Sequence, residues 1–338
     1  MGEKFTKMAQ RISAGWISES YKDFQVRGLI NYNLSCCVNA LLQSFSATTE
    51  LLDIFYKWDL SESAVQSNVP LQLKKALLSM KEITHPAPHK RFIECLYRHA
   101  IYRNSQLDAD EIFHLILNLS QKQMNDHELA QELQSLYEIK MEIQVTCSAC
   151  KYKHRMTNSL FSLPLAIPDE ENTLESCVNF LFKKQDLVGS EKFYCTHCEN
   201  KQESSHELEL VSLPQILCIH LKRFRNECGV TRKLTSNVIF PENFEESVFA
   251  AGQSGNKVSI DSSRPCEQYS LFAVIVHIGS AMSGHYTAFI RPNLEQAWYY
   301  ADDSRVNQVT WEDVQYTYKG RNTAYLLLYR KKSLEQSG

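Results

Sequence analysis

Eleven of the 338 residues are cysteines, and three groups of them are spaced for chemistry. Cys147-Ser-Ala-Cys150 and Cys195-Thr-His-Cys198 form two C-x-x-C knuckles with 44 residues between them. A C-x-x-C turn presents two thiolates to one ion, so two turns complete the tetrahedral four-thiolate set that zinc favours. At this separation the knuckles have to meet as the tips of separate hairpins. A closed site of four cysteines is structural, because it leaves no coordination position open for a reaction. The competing readings are two unrelated cysteine turns or a redox pair; neither knuckle opens a βαβ unit, which counts against the redox reading. His197, inside the second knuckle, is read as a neighbour of the ion rather than a ligand.

The third group is the vicinal pair Cys36-Cys37, directly after Ser35. Val38, Leu41, Leu42 and Phe45 follow at i, i+3, i+4 and i+7, one apolar face of a helix that starts near Cys36. A thiol at a helix N-terminus is favoured as thiolate by the free backbone N–H groups and the helix dipole. Thiol catalysis also needs an imidazole to accept and return a proton and a third group to orient the ring. Gly284-His285-Tyr286 opens a strand late in the chain, and Asp302 and Asp303 begin 17 residues beyond His285. Two antiparallel strands of that spacing could set a carboxylate beside the imidazole, and Gly284 permits a close backbone approach. Taken singly, Cys36 and Cys37 could be a buried pair at a helix start, and His285 a core histidine.

The elements that must position these residues change texture along the chain. Residues 1–27 have no strong period and read as an N-terminal extension. Helical periodicity covers Leu71–Met80, Lys90–His99, Asp110–Leu119 and Asp126–Tyr137. From about residue 141 strands take over: Glu142–Thr146, Leu160–Leu165, Glu207–Val211 and Ile216–Phe224. A short helix, Leu174–Phe182, interrupts them. Residues 225–268 read as a loop or small insertion, followed by strands Leu271–Ile278, His285–Arg291, Trp298–Tyr300 and Thr323–Arg330; residues 331–338 read as a tail. Helices first and strands later make an α+β fold rather than an alternating α/β one.

Composition bounds the function classes. Hydrophobic residues at 43% with only 11 Gly and 9 Pro exclude disordered and low-complexity classes. A net charge of −3 gives no general attraction for phosphate backbones, so nucleic acid is not an expected partner. The short basic cluster Lys222-Arg223-Phe224-Arg225 is the one feature that would favour it. No apolar run reaches the roughly 18 residues of a membrane helix, so no membrane insertion is expected. The N-terminus lacks an apolar signal core, although Gly2 and Thr6 fit the loose myristoylation pattern. An odd cysteine count without a signal peptide fits reduced thiols in the cytoplasm or also the nucleus.

Five segments together resemble the ubiquitin-specific protease family, in that family's order. Gly28 through Gln43, reading GLINYNLSCCVNALLQ, resembles its cysteine box. Gln106-Leu107-Asp108-Ala109-Asp110-Glu111 resembles its Gln-Gln-Asp-Ala-x-Glu segment, and Leu213-Pro214 through Phe224 its L-P-x-x-L-x-x-H-L-K-R-F strand. Tyr269–Tyr286 with Trp298–Val306 resembles its histidine box, and the knuckles complete the set. The resemblance runs from about Gly28 to Arg330. It implies a papain-like catalytic domain over 28–330, with a helical thumb (about 28–140), zinc-tipped β fingers (about 141–210) and a β palm (about 211–330).

In that family Cys36 would be the nucleophile, His285 the general base and acid, and Asp302 the residue orienting it. Asp303 would be an auxiliary polar neighbour, and Asn31 would add an oxyanion-hole amide to the Cys36 N–H. Gln106, Asp108 and Glu111 would receive the arginine-containing tail of a ubiquitin-like modifier. A structural zinc on Cys147, Cys150, Cys195 and Cys198 is implied, and no catalytic cofactor. The short length and the Cys36-Cys37 pair resemble the interferon-induced deISGylating branch, which removes a two-domain ubiquitin-like modifier. That branch implies modifier conjugates as partners, an interferon receptor chain as a further one, and damping of interferon responses. Ubiquitin as a second substrate, or a non-catalytic adaptor role in receptor signalling, are the alternatives. Asn33 and Leu34 stand where the family commonly has Gly and then Asn or Gln; Asn33 is expected to carry the left-handed turn there.

Overall fold

A computed structural model describes residues 26–32, 34–59, 67–81, 89–99, 108–168, 172–227, 229–249, 267–293 and 297–332. Its first part is helical: α1 (Cys36–Ser46), α2 (Thr49–Lys57), α3 (Val69–Met80), α4 (Lys90–Tyr97), α5 (Ala109–Gln123) and α6 (His127–Tyr137). Short polar side chains set several of these starts. Asn68 accepts from the Leu71 N–H, Asp108 from Asp110 and Glu111, and Asp126 from Leu129. The α2 helix was not anticipated from periodicity, because its nine residues carry only two turns of pattern.

Strands follow: β1 (Ile139–Cys147), β2 (Lys153–Leu160), β3 (Leu163–Ala166), β4 (Ser204–Ser212) and β5 (Ile216–Lys222). After a helix α7 (Leu174–Phe182) inserted before β4, the later strands are β6 (Gln268–Gly279), β7 (Gly284–Ile290), β8 (Trp298–Asp302), β9 (Arg305–Val309) and β10 (Asn322–Lys331). The α+β expectation therefore holds. Leu160–Leu165 is not one strand: a bend at Phe161-Ser162 divides β2 from β3. The region expected to be a loop contains a hairpin, Phe224–Glu227 with Val230–Lys233, and short strands at Val238–Ile239 and Asn243–Glu245. Residues 250–266 lie outside the described ones.

The large sheet runs β9-β8-β7-β6-β10-β5-β3, with Asn243–Glu245 paired to β6, and only the β3–β5 pair is parallel. Its central strand β6 is buried along almost its whole length because both faces are covered. Phe272, Ile275, Leu326 and Leu328 pack toward the helices; Leu271, Val274, Leu327 and Tyr329 pack into a second core on the other face. The alternation is the period of two that a strand imposes. A smaller sheet, β2-β1-β4 with Gln185–Leu187, carries the first knuckle at the end of β1.

Helix α1 lies between the helices and this sheet, and all 11 of its residues are buried. Arg223 is also fully buried, which removes it from the basic surface cluster suggested by the sequence. Its guanidinium donates to the carbonyls of Ala324 (2.9 Å), Ser236 (2.8 Å), Leu234 (3.2 Å) and Tyr318 (3.4 Å). Burial pushes its pKa down to about 10. Arg223→Ala should therefore lower unfolding stability by roughly 3 kcal/mol, since several buried carbonyls lose their donor together. Urea unfolding measures this; a change within about 0.5 kcal/mol would mean that the guanidinium holds nothing.

Candidate active site

Cys36 is the first residue of α1 and is 8% exposed. The first turn of the helix carries no acidic side chain that would oppose a thiolate. Cys37 points into the core, and burial pushes its thiol pKa well up, so only one of the vicinal pair faces the cleft as a usable thiol. The turn before Cys36 is built by side chains. Asn31 Oδ1 accepts from the Ser35 N–H at 3.0 Å, and Ser35 Oγ accepts from the Tyr32 N–H at 2.8 Å. Within this turn Leu34 has φ 65° and is 57% exposed, so a leucine carries the left-handed backbone expected at Asn33. Asn33 itself lies outside the described residues.

The periodicity of α1 placed its apolar residues correctly but gave no task to its polar side. Gln43 Nε2 donates to Arg27 O at 2.6 Å, and Asn39 Nδ2 reaches Ile30 O at 3.3 Å. The same Asn39 amide donates to Asp303 Oδ1 at 2.8 Å, while Asn31 Nδ2 donates to Asp303 Oδ2 at 2.9 Å. Asp303 completes the joint with its backbone: its carbonyl accepts from the Leu29 N–H at 2.7 Å. Gly28 is required at this contact, since a Cβ there would stand 2.2 Å from the Ser304 carbonyl oxygen. Asn39 and Gln43, missed as positioning groups, were legible as i, i+4 amides on a helix with one apolar face.

On the facing strand, His285 Nε2 donates to Asp302 Oδ1 at 2.6 Å. That leaves Nδ1 as the ring nitrogen for the sulfur. A hydrogen bond with Cys36 and then the Asp302 carboxylate, set against partial burial, raise the His285 pKa to about 9. The two side chains are 34% and 36% exposed, so the pair is reachable from solvent. Gly284 serves the close approach expected of it, though the neighbour is a side chain: a Cβ would lie 2.2 Å from His277 Nε2. His277, wholly buried behind this point, is pushed down to about 4 by burial, Lys233 and His285. A thiol, an imidazole and a carboxylate in this sequence can attack a carbonyl, protonate its leaving group and deacylate by water.

The knuckles meet as hairpin tips. Cys147 and Cys198 sulfurs are 4.0 Å apart, Cys150 and Cys195 are 3.6 Å apart, and all four lie within 4.8 Å. Zinc–thiolate bonds of about 2.3 Å require tetrahedral edges of about 3.8 Å, so the four cysteines can hold a zinc ion. Disulfide pairing would need sulfurs at about 2.05 Å. Lys151 and Glu199, each one residue after its knuckle, have φ of 61° and 50°. His197 stacks on Tyr152, with ring centroids 5.6 Å apart, rather than joining the sulfurs.

The sequence profile described as ubiquitin carboxyl-terminal hydrolase matches residues 27–329. The chain belongs to that family. It is 32% identical over 325 residues to human Ubl carboxyl-terminal hydrolase 18, covering 90% of this chain and 84% of the relative. The mouse protein of that name is also 32% identical, over 90% of this chain and 85% of its own. Ubiquitin carboxyl-terminal hydrolase 22-A of Xenopus laevis is 27% identical, over 92% of this chain and 67% of the relative. The chain is thus a cysteine hydrolase of the ubiquitin carboxyl-terminal hydrolase family.

Two of the family's expected tail-binding positions can be located. Asp108 caps α5 through Oδ1, 2.8 Å from the Asp110 N, and accepts from Tyr325 OH at 2.5 Å through Oδ2. Glu111 is exposed one turn along, and Gln106 lies outside the described residues. Asp110, between them, faces inward to Ser162 Oγ at 2.6 Å and His220 Nδ1 at 3.1 Å.

A histidine whose folded pKa is raised keeps its proton through neutral pH and loses it as pH rises through the folded value. His285 should therefore titrate near pH 9 in a histidine NMR experiment. Asp302→Asn removes one of the groups that raise it and should move the midpoint lower. An unchanged midpoint in that variant would exclude Asp302 as a partner of the charged ring.

Proposed function

We propose that the protein is an isopeptidase that releases a ubiquitin-like modifier from target lysines after its C-terminal Gly-Gly. Its preferred modifier is the interferon-induced two-domain one, and the reaction tempers interferon responses in the cytoplasm. The observation that carries the chemistry is the 2.6 Å His285–Asp302 contact beside a thiol at the head of a buried helix. The modifier preference is supported by 32% identity to relatives named as Ubl hydrolases across 90% of the chain.

In this reading the Cys36 thiolate attacks the carbonyl of the terminal glycine. Negative charge develops on that oxygen, and the Cys36 backbone N–H with an Asn31 amide hydrogen receives it. An amide carries two N–H groups; one on Asn31 is spent on Asp303, and the other remains for the oxyanion. Imidazolium His285 then protonates the departing lysine amine. The neutral ring next takes a proton from water, which attacks the thioester and frees Cys36. Asp302 keeps the ring oriented through both steps, and Asp303 holds Asn31 in place.

Gln106, Asp108 and Glu111 receive the basic tail of the modifier, and Asp108 also caps the N-terminus of α5 that carries Glu111. The helical lobe over about 28–140, the knuckle-bearing sheets over about 141–210 and the large sheet beyond 211 serve as thumb, fingers and palm. A structural zinc on the four cysteines stiffens the fingers. An interferon receptor chain is a further partner in this reading.

Electrophilic probes built on the C-termini of ubiquitin and of the interferon-induced modifier test the assignment. The second probe should label wild type and fail on Cys36→Ala, read by mass. Labelling by the ubiquitin probe alone would make the enzyme a deubiquitinase, and labelling by neither would remove the catalytic reading.

Cys195→Ser should lose the single zinc of a four-cysteine site, measured by elemental analysis, and lower cleavage of the whole modifier. Alkylation of Cys36 by a small electrophile should stay at the wild-type rate, because the knuckles and the thiol sit on different elements. Full zinc content in the variant would separate these cysteines from metal.

A further inference from the structure

Residue His89 directly precedes α4 and is fully buried. Its Nε2 lies 2.8 Å from the Ile30 carbonyl oxygen. A carbonyl only accepts, so Nε2 carries the hydrogen and Nδ1 carries the lone pair. That Nδ1 is buried and has no partner among the described residues. Packing alone does not account for such a group, since an apolar residue would fill the space without orphaning a polar atom. The Ile30 side chain is 45% exposed, so the interaction is with its carbonyl and not with an apolar surface.

That carbonyl belongs to the peptide preceding Asn31. Because the peptide unit is planar, fixing Ile30 C=O also fixes the Asn31 N–H and its Cα. Asn39 reaches the same oxygen from α1 at 3.3 Å, so the carbonyl is held from both sides. Two residues further on, Tyr97 at the other end of α4 donates to the Tyr32 carbonyl at 3.4 Å. Asn31 therefore lies between two carbonyls held by one helix, with its side chain tied to Ser35 and Asp303.

We propose that His89 is a positioning residue for the Cys36 reaction, holding the Ile30–Asn31 peptide so that the Asn31 amide faces the developing oxyanion. The proposal rests on the functional reading given above for Cys36, His285 and Asn31. A positioning loss of this kind acts on the transition state and leaves ground-state docking of the modifier unchanged. His89→Ala should therefore lower kcat about tenfold and leave KM within about twofold. His89→Gln, whose amide N–H can reach the same carbonyl, should restore most of kcat.

The assay uses the full chain with ubiquitin and the interferon-induced modifier, each carrying a C-terminal aminocoumarin, alongside thermal melts of each variant. Folded His89→Ala with wild-type kcat, or with a raised KM and unchanged kcat, would overturn the proposal. So would a folded His89→Gln as slow as the alanine variant. If His89→Ala fails to fold, His89→Gln decides alone: near-wild-type kcat supports the clamp, and a slow folded variant overturns it. Failure of wild type on both substrates would instead sink the functional reading, and the proposal with it.

Discussion

The carboxylate of Asp303 joins the two ends of the chain. One oxygen takes the amide of Asn31 and the other that of Asn39, across 272 and 264 residues of sequence. The backbone oxygen of the same residue takes Leu29 N–H, and the chain turns there through φ 50°. The proposed catalytic site is built around that joint. The joint sets the segment 28–31, ahead of Cys36, against the end of β8, one residue beyond the carboxylate that accepts from His285. Charge-assisted hydrogen bonds suit the task because they fix direction as well as distance. The space around them is equally determined: Gly28 fits against Ser304 only because it has no side chain.

Around the cleft, positive charge is placed with care for where it is wanted. His285 holds its proton because Cys36 and Asp302 face it, while His277 behind it is driven neutral by burial and by Lys233. Lys233 donates to the carbonyls of His277, Gly279 and Arg321, and burial brings its pKa down to about 8. Arg223 is satisfied in the same manner by four carbonyls. These two cations, one buried and one half-buried, thus stiffen the backbone that leads into and out of the histidine hairpin, and no carboxylate is spent on them among the described contacts.

The knuckles solve a separate problem. The sheet β2-β1-β4 and a separate hairpin, Phe193–Cys195 with Asn200–Gln202, carry one knuckle each, and there is little apolar material beside them to bury: most of β2 is exposed. A four-thiolate centre can hold two such hairpin tips together where a hydrophobic core cannot. The Cys36 thiol and the knuckle thiols are thus the same chemical group in opposite settings. One stands open at a helix head, and four are turned toward a common centre.

Much of this was readable from the chain alone. Hydrophobic period and short-range spacing marked the helical half, the long strands and the knuckles, because those signals are local; the family resemblance was needed to pick Cys36, His285 and Asp302 out of their neighbours. The division of Leu160–Leu165 and the hairpin at 224–233 were not readable, since a bend costs no more than one or two polar residues in an apolar run. The apolar period of α1 gave its polar residues no task; the tertiary fold turned Asn39 and Gln43 into the clamp on residues 27–31 and on Asp303. Likewise Arg223, basic in a basic cluster, became a core residue, and Leu34 took the backbone region expected of Asn33. Sequence determines which groups are present and what their neighbours along the chain allow. Only the tertiary structure decides which distant carbonyls and carboxylates each polar group meets, because that depends on closing loops of more than two hundred residues.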